Sequence, residues 1–319
     1  MSMRLDVYPV ENWDRTNTAL EEAWGKHEGN LIQAHRGLAT ALHEIVLGFA
    51  QIYSHKRAIA VVKGNSWAVD FVVPWFLKEA YTVQSIQLEE LEKDPEAWVK
   101  SLKKDTAFVL FVEDHPVTGE TWDWDRFDHL LNDNKQFSIR VSHHSFVSRR
   151  EASRPLSCRV SSISEHLAVS SSGNRFRISS EIAPWGDWQI DVETERLNKR
   201  LSEAVDEKAV LAFEALFPGK ALLNGKKRHY DRALLSFEDV GADALIALLE
   251  QKLGSSEGLQ ALHLCAWQSV RLYKGWWKNP PSPDALRGAL AIALPLLQRK
   301  DFAKLLQESY EELRSRQSW

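Results

Sequence analysis

Three stretches of the 319-residue chain gather residue types that can do chemistry. Lys63-Gly64-Asn65-Ser66 stands between a short β-rich apolar run, Ala58 to Val62, and an apolar stretch of helical length, Trp67 to Leu77. A strand that turns through glycine into a helix leaves free backbone N–H groups at the positive end of the helix dipole, which can cradle a phosphate. The same residues also make an ordinary turn with Asn65 or Ser66 as the helix cap. Glu113-Asp114-His115 follows the apolar run Thr106 to Val112, and His143-His144 follows Phe137 to Val141. If those runs are neighbouring strands, Asp114, His115, His143 and His144 share one carboxyl edge, where carboxylate and imidazole suit zinc or another divalent ion. Adjacent histidines on an extended chain point to opposite faces, so a polar rim is the plainer reading. Arg149, Arg150, Arg154 and Arg159 fall in a Ser-rich stretch, 148–164, that reads as a solvated connection. Trp276-Trp277 before Pro280-Pro281 reads as a packing surface between domains or subunits.

Those residues need elements to hold them. Residues 31–53 space Leu31, His35, Leu38, Leu42, Ile45, Val46 and Phe49 at three- and four-residue steps, which predicts one amphipathic helix. Beyond it strands and helices alternate: Ala58–Val62, 67–77, Thr106–Val112, a helix over 122–131 with Trp124, Phe127 and Leu131 on one face, then Phe137–Val141. Alternation of this kind predicts an α/β domain, a mostly parallel sheet flanked by helices, with ligands at the carboxyl ends of its strands. A long helical segment from Val192 to Phe217 ends at Pro218-Gly219. After it come a strand, Ala233–Phe237, and helices near 242–253, 264–275, 284–297 and 299–316, a smaller C-terminal α+β domain.

Hydrophobic residues make up 44% and charged residues 26%, the proportions of a globular chain rather than a disordered one. Forty Lys and Arg against 44 Asp and Glu leave a net charge of -4, from which no nucleic-acid partner and no membrane partner is expected. Cys158 and Cys265 cannot build a disulfide framework, and no stretch reaches the ~20 apolar residues of a membrane span. A reducing, cytoplasmic setting is expected. The 13 Trp residues read as core and interface filling.

The order of these pieces resembles the class V branch of the fold-type I pyridoxal-phosphate enzymes, which holds cysteine desulfurases and related aminotransferases. Lys63-Gly64-Asn65-Ser66 resembles the family's phosphate loop, and Glu113 to Glu120 its Asn-Glu-Thr-Gly turn. Leu222 to Gly225, Leu235 to Val240 and Arg287 to Leu294 resemble its closing segments, in order. The resemblance spans roughly residues 25–315. It implies an N-terminal segment, 1–24, packing on the small domain; a large pyridoxal-phosphate-transferase-like domain, 25–217, including the linking helix; and a small domain, 218–319. It also implies a homodimer with the cleft at the subunit boundary. Within that cleft it implies Gly64, Asn65, Ser66, His115, Ser145 and Asn174 as lining residues.

The same resemblance implies lost chemistry. The Schiff-base lysine belongs to a Ser-x-His-Lys motif after a strand, which is matched to Ser172-Gly173-Asn174-Arg175, placing Arg175 in the lysine's position. A guanidinium stays protonated and cannot attack an aldehyde. The carboxylate that keeps the pyridinium nitrogen protonated is matched to Ser142, and the substrate-carboxylate arginine to Ala291, with Arg287 displaced nearby. The desulfurase cysteine falls near Cys265. The expectation is therefore a catalytically degenerate transferase, a pseudoenzyme whose fold serves ligand binding or assembly. No covalent cofactor is expected, and a small anion is accommodated between Arg175 and Gly64. One alternative is an active pyridoxal-phosphate transferase using Lys135 or Lys63; another is the metal or anion cleft of Asp114, His115, His143 and His144. Between Lys135 and Lys199 the chain has no lysine.

Overall fold

The computed structural model describes residues 31–35, 37–63, 81–115, 119–143, 154–162, 168–177, 206–223, 228–262 and 282–317. The chain divides into two compact units, 1–113 with 123–202, and 114–122 with 203–319.

The first unit is built on strands β1 (Leu31–His35), β2 (Ala58–Lys63), β3 (Thr82–Gln87), β4 (Thr106–Val112), β5 (Ser138–Ser142), β6 (Ser157–Ser162) and β7 (Ala168–Ser172). They form one seven-stranded sheet in the order β1-β7-β6-β5-β4-β2-β3. From β3 to β6 every pairing is parallel, whereas β7 is antiparallel to both β6 and β1. The helices of this unit are α1 (Gly37–Ile52), α2 (Leu88–Leu91), α3 (Pro95–Ser101) and α4 (Trp124–Asp133). Leu42, Ile45 and Phe49 of α1 pack on Ile59, Val61, Leu110, Ile139, Val141, Cys158 and Val160. Trp124 stacks on Phe111 at 4.8 Å between ring centroids, and Trp98 lies beside Phe127.

Several elements depart from the sequence reading. Residues 31–53 are a strand and then a helix: the helical period belongs to 37–52, and Leu31–His35 pairs antiparallel with β7 instead. Strand β6 runs through the stretch read as a solvated connection. Pairing with strands on both sides makes β6 interior to the sheet, where Cys158 and Val160 enter the core with α1 and Ser157 and Ser161 are buried on the other face. The helix expected at 67–77 lies outside the described residues. Gly173, just after β7, passes so close to the 154–155 backbone that an added Cβ would come within 1.9 Å of the Arg154 carbonyl oxygen.

In the second unit, strands β8 (Arg232–Ser236), β9 (Leu259–Ala261) and β10 (Ala289–Ala293) make a three-stranded antiparallel sheet in the order β8-β10-β9. Its helices are α5 (Glu207–Ala215), α6 (Ala242–Leu253), α7 (Pro283–Arg287), α8 (Leu294–Leu297) and α9 (Phe302–Gln317). Leu235 and Ile292 meet Phe213, Leu245, Leu249, Phe302 and Leu306 in its core. The helix expected over 284–297 is helix, strand and helix. Its run Ala289–Ala293 is continuously apolar, a pattern that fits a buried strand as well as a helix. Val210, Phe213 and Phe217 belong to this second core, so α5 is part of the small unit rather than a linking helix of the large one.

Candidate functional site at the carboxyl edge of the large sheet

Parallel strands β2, β4, β5 and β6 end together, at Lys63, Val112, Ser142 and Ser162. Strands β5 and β6 run in register, Ser138 beside Ser157, Arg140 beside Arg159 and Ser142 beside Ser161. These three pairs share one face of the sheet, because side chains alternate along a strand. The opposite face of the same strands carries Ile139, Val141, Cys158 and Val160. The Cys158 thiol is fully buried and pushed up to about 12 by that burial, so it is a packing group rather than a nucleophile.

The middle pair forms a buried ion network. Glu113, which follows β4, is 3% exposed and ion-paired with Arg140 and, at 3.3 Å, with Arg159. Arg140 also donates to Asp125 in the first turn of α4, at 2.8 Å. Two guanidinium groups inside a sheet are tolerable only when carboxylates face them. Trp124 Nε1 donates to the Glu113 carbonyl at 2.6 Å and ties the start of α4 to the same point. The pair nearest the amino edge is bound to Asp128: the Ser138 and Ser157 hydroxyls donate to its Oδ1 at 2.7 and 2.8 Å, and Arg154 Nε lies 3.3 Å from Oδ2. Burial pushes the Asp128 carboxyl up, against the pull of Ser138, Ser157, Arg154 and Arg159. The third pair, Ser142 and Ser161, reaches the carboxyl edge, with Ser142 fully buried and His143 beyond it half-buried.

Asn174 and Arg175 are elsewhere. Because β7 runs against β6, the chain leaves β7 at the amino edge: Gly173 N donates to Ser157 O and Arg175 N to Pro155 O, both at 2.9 Å. Arg175 is exposed. It lies beyond the far end of the β5–β6 ladder from Ser142, roughly 13 Å of strand away at ~3.3 Å per residue. It therefore cannot stand in for a lysine at the carboxyl edge. The segment that does follow β6 joins Ser162 to Ala168, which are paired at the carboxyl edge. Its sequence, Ser164-Glu165-His166-Leu167, keeps the Ser-x-His of the resembled motif and has leucine in the fourth place. That run is the signal in the sequence for this segment.

In the second unit, Asp114 and His115 are fully buried in a tight hairpin. Asp114 bridges Thr121, His115 N donates to Glu120 O, and Gly119 at φ +67 makes the turn. Gly119 O accepts from His229 N at 3.0 Å, and His229 Nε2 lies 3.5 Å from Asp114 Oδ2. His229 was not singled out in the sequence. Among the described residues no group of three His, Cys, Asp or Glu side chains is placed to hold a metal ion, so Asp114, His115 and His143 do not form the expected ligand set. Gly64, Asn65, Ser66, His144, Ser145 and Cys265 lie outside the described residues, as do Trp276 and Trp277. Ala291 sits inside β10, and Arg287, at the end of α7, is exposed.

The described donors that β5, β6 and β7 bring to the carboxyl edge do not fit a Schiff-base-bound pyridoxal phosphate. Strand β5 ends in a hydroxyl, which cannot hold the charge of a pyridinium ion, and the chain from 136 to 198, which includes β5, β6 and β7, supplies no amine. Among described lysines, Lys135 lies in the turn entering β5 at the amino edge, while Lys63 ends β2 at the carboxyl edge and is exposed. Arg175 is thus corrected as the lysine-equivalent position, and Lys135 as the alternative amine.

No protein-family model matches the sequence, and a comparison with the curated proteins finds no match. Solved structures do match. An apo cysteine desulfurase from Thermococcus onnurineus NA1 superposes with a TM-score of 0.65 at 10% identity, covering 96% of this chain and 84% of that one. A NifS-like protein from Rickettsia africae ESF-5 gives 0.60 at 12% identity over 96% and 88%. An alanine–glyoxylate aminotransferase from Nostoc sp. gives 0.58 at 13% identity over 97% and 90%. With the seven-stranded sheet, its single reversed strand β7 and the smaller antiparallel unit, these likenesses show that the chain has the fold-type I, class V-like pyridoxal-phosphate transferase fold.

Proposed function

We propose that this chain is a catalytically degenerate member of the pyridoxal-phosphate transferase fold, a pseudoenzyme whose cleft and scaffold serve ligand binding or assembly. One observation carries the reading: the stretch from 136 to 198, including β5, β6 and β7 and the links between them, contains no lysine, and Ser164-Glu165-His166 is followed by Leu167. Without an amine that can deprotonate, no covalent bond to the aldehyde forms. Ser142 at the end of β5 supports the same conclusion, since a neutral hydroxyl leaves the ring a poor electron sink. A homodimer and a cytoplasmic setting belong to this reading; sedimentation of the purified chain tests the first. The chain has no helix, among the described residues, long and apolar enough to cross a membrane.

The test is an absorption spectrum of the protein with one equivalent of pyridoxal phosphate, before and after borohydride. The expected result is the spectrum of free cofactor and no protein-bound adduct. A stoichiometric, reducible adduct on a single lysine overturns the proposal. Lys63 is the residue to watch, because its place at the carboxyl edge favours the second reading, an active transferase with a relocated lysine.

A further inference from the structure

The net charge of -4 hides a local asymmetry. At the amino edge of the large sheet, opposite the edge where Ser142 ends β5, the chain enters its parallel strands through short turns that carry cations. Arg57 precedes β2, Lys103 and Lys104 precede β4, Lys135 precedes β5, and Arg175 and Arg177 follow β7 on the same edge. All are exposed and, among the described residues, none is ion-paired; the exposed acids among these described turns are Asp105 and Asp133. Half-buried Lys56 adds charge to the same edge, where Arg154 is already paired with Asp128. Neighbouring strands are ~4.8 Å apart, so the row from β2 to β6 extends roughly 14 Å, the axial span of about four phosphates of one nucleic-acid strand at ~3.4 Å each.

Lys135 strengthens the case independently. It is, among the described residues, the non-glycine residue with positive φ, at +59°. Its place just after α4 is one where glycine or asparagine is normally favoured. A lysine there keeps a cation on this edge at a cost in backbone strain.

We propose that the amino edge of the large sheet is a nucleic-acid-binding surface that engages the phosphate backbone, separate from the carboxyl-edge cleft. The chemistry favours nucleic acid over an anionic membrane. The cations form a row interleaved with exposed His55, Asn134 and Asn174, side chains that can hydrogen-bond to phosphate or sugar. A membrane-surface site would instead present an apolar face for insertion, and the large apolar side chain exposed near this edge is Ile52 alone among those described.

The experiment is fluorescence anisotropy with a short DNA duplex, using the full chain at several salt concentrations. Binding should weaken by roughly 100-fold from about 50 to about 200 mM salt, as expected for about four phosphate contacts. The triple variant Arg57→Glu, Lys135→Glu, Arg175→Glu should lose at least ~10-fold in affinity, with a salt slope shallower by about three. A control, Lys208→Glu, Lys300→Glu, Lys304→Glu, changes the net charge equally on the second unit and should stay within about twofold of the parent. Lys135→Gly should bind more weakly while unfolding at a higher temperature, which separates lost binding from lost folding. Equal losses in the edge variant and the control, no duplex binding at low salt, or binding only to phosphatidylserine vesicles each overturns the proposal.

Discussion

The two faces of strands β5 and β6 use the same backbone and the same neighbours to opposite ends. On the α1 side, Ile139, Val141, Cys158 and Val160 close an apolar core against Leu42, Ile45 and Phe49. On the other side the same strands present Ser138, Arg140 and Ser142 beside Ser157, Arg159 and Ser161. A parallel sheet covered on both faces is ordinarily apolar on both. Here one face is stable because Glu113 meets the guanidinium groups of Arg140 and Arg159, and the buried Asp128 carboxyl is hydrogen-bonded by Ser138 and Ser157. Apolar packing tolerates a lost methyl group in proportion to the cavity left, whereas a charge network fails when one member goes.

The largest expected effect separates those two modes. Glu113→Ala leaves Arg140 and Arg159 buried without their shared carboxylate and should destabilise the chain by ~4 kcal/mol in urea unfolding. Glu113→Gln should recover only part of that loss. On the apolar face, Ile139→Ala should cost ~3 kcal/mol, from transfer and cavity terms. If Glu113→Ala proves milder than Ile139→Ala, the polar face is solvated rather than buried and the contrast fails.

The contrast also explains what the sequence made readable. Thr106–Val112 is apolar throughout, so β4 was legible to the residue, as were α6 and its stop at Gly254. Strand β6 was not, because Ser157, Arg159 and Ser161 face a polar network that only tertiary pairing creates, leaving Cys158 and Val160 as too short an apolar signal. Arg175 was misplaced for a different reason. The direction of β7 is a property of the sheet, not of the run Ala168–Ser172, and reversing that one strand carries the following residues to the opposite edge. Asp114 and His115 could be picked out as polar residues after a strand, but their partner His229 lies more than a hundred residues away in the chain.

Smaller effects sharpen the comparison. Lys135→Gly relieves a positive φ at the end of α4 and should stabilise the chain by ~1 kcal/mol in thermal unfolding. Two carboxyls should answer acid in opposite senses. Burial raises Asp128, so the fold prefers its protonated form; that contribution is present below the ordinary carboxylate value near pH ~4 and is lost as pH rises through the raised value. Asp128→Asn keeps an acceptor for Ser138 and Ser157 and should remove this component. Asp239 is the reverse case. Burial opposes its ionisation, but the Tyr310 hydroxyl, Lys220 and Arg314 together hold it below the usual carboxylate range. Its contribution is present above pH ~4 and is lost as pH falls through the lowered value, and Tyr310→Phe should diminish it. Unfolding midpoints measured across the acid range for the parent and both variants check the two signs.

The proposed function assigns the family's lysine position to the link between β6 and β7, where the sequence has Leu167, while Arg175 follows β7 at the amino edge. Its most direct test restores the missing groups at each place. Ser142→Asp with Leu167→Lys, and Ser142→Asp with Arg175→Lys, are each incubated with one equivalent of pyridoxal phosphate, reduced with borohydride and mapped by peptide mass. The account predicts a stoichiometric adduct at position 167 in the first variant and none at position 175 in the second. An adduct at 175, or no adduct at 167 in a folded protein, contradicts it.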